Sequence, residues 1–112
     1  MTGSWIGQGE RARWQRRAAA ELASILHAHQ DLPAIAWTVG PAGPVLIGKV
    51  NGLAPAAQVR EVFTAWRLAL ALQEGPGHQL SGGVIWLHAA TRRNQVRVRL
   101  TATVFDEESG QL

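Results

Sequence analysis

The chain has 112 residues, 46% of them hydrophobic and 17% charged, and it contains no cysteine. A length near that of one ordinary domain excludes a second independent core, and the apolar fraction excludes a disordered chain. The missing thiols exclude disulfide scaffolds, thiol catalysis and most structural zinc sites.

Ten arginines and one lysine against eight acids give a net charge of +3. Three of those acids stand together as Asp106-Glu107-Glu108, and setting them aside doubles the excess to +6. A basic surface of this size favours polyanion contact only modestly. No apolar run approaches the roughly 18–20 residues of a membrane span, and a signal peptide's charged and apolar regions are missing. The expectation is therefore a soluble, cytoplasmic chain with no membrane contact: a leader at 1–9, one domain at 10–105 and an acidic tail at 106–112.

The leader carries Trp5-Ile6, an apolar pair that either folds back onto the core or meets a partner. From Glu10 to Gln30 the spacing predicts a helix, with Trp14, Ala18, Leu22, Ile25, Leu26 and His29 recurring every three or four residues on one face. Arg13, Arg16 and Arg17 fall on the opposite side, and Arg17 with Glu21 reads as a plain surface pair. Asp31-Leu32-Pro33 stops this helix. Ala34 to Val39 alternates as a strand, Gly40-Pro41-Ala42-Gly43 turns, and Pro44 to Asn51 returns to complete a hairpin.

Pro55 opens a second helix expected to run to about Glu74, where Gly75-Pro76-Gly77 ends it. Val59, Val62, Phe63, Trp66, Ala69 and Leu70 form its apolar face. Leu68 and Leu72 lie off that stripe and, with Trp5 and Ile6, are the candidate residues of a subunit interface. His78 to Gly82 reads as loop. Gly83 to Ala90 reads as a strand with little polar alternation, hence central or covered on both faces. Thr91 to Asn94 turns. Gln95 to Val104 then alternates cleanly, with Val96, Val98, Leu100, Ala102 and Val104 inward.

The order α-β-β-α-β-β looks like two copies of one unit. It predicts an α+β, two-layer sandwich: a four-stranded antiparallel sheet with both helices on one face, as in a ferredoxin-like domain whose first strand has moved to the end. The other sheet face is then either solvated or covered by a second subunit.

Catalysis finds little support. There is no Tyr or Cys, and the serines lack a nucleophile-elbow context. The few acids sit mostly on helices, so no catalytic set assembles and no enzyme is expected. His27 and His29 point about 200° apart around a helix, and His88 stands alone in an apolar strand, so neither metal nor cofactor is expected. Gly7-Gln8-Gly9-Glu10-Arg11-Ala12 matches a dinucleotide fingerprint only formally, because no strand precedes it and a hairpin follows its helix.

The arginines form the constellation with most content. Arg92 and Arg93 are expected at a hairpin tip, Arg97 and Arg99 on the outward face of the next strand, and Arg13, Arg16 and Arg17 on the first helix. Such a set can track the phosphates of DNA or RNA. It can equally be an ordinary solvated face, since arginine stems cover apolar surface and the acidic tail can fold over them. RNA-recognition domains display aromatics on central strands, whereas the outward residues Gln95, Arg97, Arg99, Thr101 and Thr103 include none.

The apolar second helix and the spare sheet face favour a homodimeric accessory or regulatory protein that recognises another protein or macromolecule, with direct nucleic-acid binding as the alternative. Leu32-Pro33-Ala34-Ile35-Ala36-Trp37-Thr38-Val39, Phe63-Thr64-Ala65-Trp66 and Val98-Arg99-Leu100-Thr101-Ala102-Thr103-Val104 resemble stretches of a family of small uncharacterised proteins from GC-rich actinobacteria. That resemblance spans roughly residues 10–105. It implies an intracellular, regulatory or DNA-element setting, and no activity carries over from it.

Overall fold

The computed structural model describes residues 6–40, 43–80 and 82–105. Trp5, the Asp106–Glu108 cluster and the side chain of Ile6 lie outside the described set. The elements are α1 (Ile6–Ala28), β1 (Ala36–Val39), β2 (Val45–Lys49), α2 (Ala56–Ala69), β3 (Gln73–Glu74), β4 (His78–Leu80), β5 (Val84–Arg93) and β6 (Val96–Phe105). The α+β class holds, with one core beneath both helices, but the expected four-stranded antiparallel sheet does not. The sheet has six strands in the order β1-β2-β6-β5-β3, with β4 sharing the β5 edge, and β2 runs parallel to β6.

The departure begins at the end of α2. The helix stops at Ala69 rather than near Glu74, because Ala71 takes a left-handed backbone at φ 54°. The Leu72 N–H then donates to the Arg67 carbonyl and the Ala71 N–H to that of Leu68. This is the Schellman termination, with alanine where glycine is usual. It folds Leu72 into the core at 4% exposure. Leu72 is therefore core, not interface; Leu68, 63% exposed, is the described member of that set left on the surface.

Residues 73–80, expected as helix end and loop, instead run antiparallel beside β5, from Gln73 opposite Ala90 to Leu80 opposite Val84. They carry the chain to the far end of the sheet before β5 starts. The β5–β6 hairpin thus enters in the opposite sense, which makes β6 parallel to β2 and breaks the likeness between the two α-β-β halves.

Inward residues alternate along β6 as read from the sequence: Val96, Val98, Leu100, Ala102 and Val104 are all buried. With Leu46, Leu87 and Ala89 they meet Ala18 and Ile25 of α1 and Val59, Phe63 and Trp66 of α2. The buried stripe of α1 is narrower than its sequence suggests. Leu26 is exposed, Trp14 is half-buried, and Glu21 takes a core-facing position at 6% exposure. Its partners lie across the sheet rather than on its own helix. The Glu21 carboxylate accepts from Arg93 Nε at 3.0 Å and from Asn94 Nδ2 at 2.8 Å, and Arg17 donates to the Gln95 side chain.

The β5–β6 turn falls at Asn94-Gln95, both left-handed (φ 50° and 68°), as a two-residue type I′ hairpin requires. Gln95 stands where glycine is favoured, and its bond with Arg17 offsets part of that cost. The α1 helix is in this way locked to the hairpin tip.

Candidate functional site

Both helices lie on one face, no described element covers the opposite face of the sheet, and strand register determines what that face presents. On β5 and β6 the outward pairs are Arg92 with Arg97, Ala90 with Arg99, His88 with Thr101, Trp86 with Thr103 and Val84 with Phe105. On β2, Val45 lies beside Arg97, Ile47 beside Arg99 and Lys49 beside Thr101. Arg92, Arg97, Arg99 and Lys49 are all exposed. They make a basic area near the hairpin tip, with aromatic rings at its other end.

Arg92 directly opposes Arg97. The Arg97 N–H donates across to Pro44 of the neighbouring chain segment at 2.8 Å, so it is not bonded to β5. This is accordingly the non-hydrogen-bonded kind of pair, in which side chains approach most closely. Like charges in that position are destabilising. Among the described residues no acid relieves them: Glu10 and Glu61 lie on the helices, Asp31 follows α1, Glu21 is taken by Arg93, and Glu74 lies 3.4 Å from Arg67.

The aromatic end is built by a glycine. The Gly75 N–H donates to the His88 carbonyl at 3.0 Å, and the His88 ring lies over Gly75 where a side chain would stand; a Cβ there would collide with the ring. So held, His88 stacks on Trp86 with centroids 4.6 Å apart and planes 20° apart. Phe105, 47% exposed, lies one outward position beyond Thr103.

The structure separates the seven arginines singled out in the sequence. Arg92, Arg97 and Arg99 share the open face. Arg93 belongs to the opposite face and is bound to Glu21; Arg17 reaches the hairpin tip through Gln95; Arg13 and Arg16 are exposed on α1. Sequence reasoning missed Lys49, Trp86 and His88. Their signal was parity: even-numbered residues of β5 face outward once Leu87 and Ala89 face in, and Lys49 follows from Leu46 by the same count.

Among the described residues no group of three or more His, Asp or Glu side chains is arranged to hold a metal ion. No described helix is long and apolar enough to cross a membrane. No family model matches the chain, and no curated protein or solved structure is significantly similar to it.

Proposed function

We propose that this chain is a non-catalytic, intracellular binding protein that holds single-stranded nucleic acid on the open face of its sheet. The observation that carries this reading is the grouping of Arg92, Arg97, Arg99 and Lys49, with no described acid among them, beside the stacked rings of Trp86 and His88. A like-charged pair kept on a sheet face lowers stability, and a bound polyanion turns that cost into attraction. Sequence-tolerant single-strand binders combine these two elements, cations that follow the phosphates and rings on which bases stack. A duplex offers no exposed base faces to the rings.

The reading as a dimeric accessory protein draws on Leu68, which is 63% exposed on α2. A dimer whose two-fold axis passes through the basic area is disfavoured, since it would set the cations of one copy against those of the next.

Salt dependence tests the proposal. Four phosphate contacts to a single strand predict a log–log slope near −2.8, at about 0.7 per contact, so affinity should fall roughly 50-fold between 50 and 200 mM salt. The measurement is fluorescence anisotropy of a labelled oligonucleotide at both concentrations. No binding at low salt, or affinity indifferent to salt, would reject the reading.

A further inference from the structure

Beyond Thr101 the open face runs into a cleft of about 620 Å³ between the β1–β2 hairpin, the loop after β2 and the end of β6. That is within the usual range for small-molecule sites, about 300–1,000 Å³. Its walls are mostly apolar, with small residues that include Ala34, Ala36 and Gly52 and the larger Leu53 and Phe105. Leu53 is 92% exposed.

The far wall is held close to the sheet. The Leu53 N–H donates to Asn51 Oδ1 at 3.0 Å, and Gly52 sits so near β6 that a Cβ would lie 3.1 Å from the Thr103 carbonyl. No described residue accepts from Asn51 Nδ2, and Thr103 contributes a hydroxyl to the lining. The cation lining the cleft is Lys49, which also belongs to the basic area.

We propose that this cleft receives one unstacked nucleobase of the bound strand, seated against Phe105 and Leu53, with the adjoining phosphate at Lys49. The inference rests on the single-strand reading above and extends it from the backbone to a base. Three features select this occupant. From Arg97 to Phe105, β6 spans about 27 Å at ~3.4 Å per residue, room for several nucleotides. The cleft lies at the end of that track, where a strand held at Arg97 and Arg99 arrives. Its single lining cation and apolar walls suit a flat ring with one charge beside it better than an acidic peptide, which carries many charges.

The test compares a 12-nucleotide oligo-dT with an abasic 12-mer of the same phosphates, against the native protein and the variants Leu53→Ala and Phe105→Ala. Both substitutions remove apolar surface without changing charge, and circular dichroism checks the fold of each. Stacking of one base is worth roughly 5- to 150-fold in affinity. Phe105→Ala is expected to weaken oligo-dT binding about tenfold and to leave abasic binding within about twofold; Leu53→Ala should act in the same direction.

Native protein that binds neither oligonucleotide at low salt would overturn the sheet-face reading. Native binding with variants that lose nothing on oligo-dT would overturn the cleft alone. A dimer mass in light scattering that Leu53→Ala abolishes would assign the cleft to a second copy and overturn the proposal.

Discussion

Trp66→Ala is expected to be the most damaging single substitution in the described chain, costing about 3–5 kcal/mol. Trp66 is buried on α2, and its indole N–H donates to the Pro33 carbonyl at 2.8 Å. Its ring meets Trp37 edge-on at 5.6 Å and His29 at 6.3 Å. One side chain thus ties α2 to the end of α1, to the loop after it and to β1. Removing it opens a large cavity and also leaves the Pro33 carbonyl without its partner. Against a total stability of about 5–15 kcal/mol for such a domain, that loss should lower the melting temperature by roughly 15–30 °C. Thermal unfolding followed by circular dichroism checks this, with Trp66→Phe, which keeps a ring but not the hydrogen bond, expected to fall between. A loss below about 1 kcal/mol would mean that the α2–β1 contact contributes little.

The second large effect is on binding, and it carries an unusual sign for stability. Replacing both Arg97 and Arg99 with glutamine should weaken oligonucleotide binding about 100-fold at low salt, since each charge-assisted contact is worth at least about tenfold. The salt slope should become shallower by about 1.4. The same double variant should melt no lower than the native protein, and it gains up to about 1 kcal/mol if Arg97 repels Arg92 as their register implies. Affinity and stability moving in opposite directions distinguish a site from a solvated strand face. If both fall together, the arginines act structurally, through their stems.

Much of this architecture was legible because periodicity reports burial. Two helices, the first hairpin and the alternating last strand all follow from spacing, whereas the shared side of the helices is an expectation from element order. What escaped the reading has identifiable causes. Gly75-Pro76-Gly77 marks the end of α2 in the sequence, but the chain turns at Ala71, where burial of Leu72 outweighs the cost of a left-handed alanine. Missing that turn hid β3 and β4 and, with them, the parallel pairing of β2 and β6. Glu21 resembles a surface helix residue because glutamates usually are; its place on the same stripe as Ala18 and Ile25 is the signal, and its inward partner Arg93 stands in a stretch that the sequence marks as a turn.

The site was half visible. Arg97 and Arg99 stand out in an alternating strand, whereas Trp86 and His88 were masked by the apolar run around them. Only the register of β5 against β6 brings that aromatic pair beside Thr101 and Thr103. The absence of an aromatic among Gln95, Arg97, Arg99, Thr101 and Thr103 therefore said nothing about the face as a whole, which Trp86, His88 and Phe105 also line.

The central claim is that the face turned away from the helices is the contact surface for a single strand. Amide chemical-shift mapping of the labelled protein with an oligonucleotide tests it most directly. Perturbations are expected to concentrate on β2, β5 and β6, strongest around Lys49, Trp86, His88, Arg97 and Arg99, with α2 unaffected. Shifts confined to the helices, or none at saturating oligonucleotide, would contradict it.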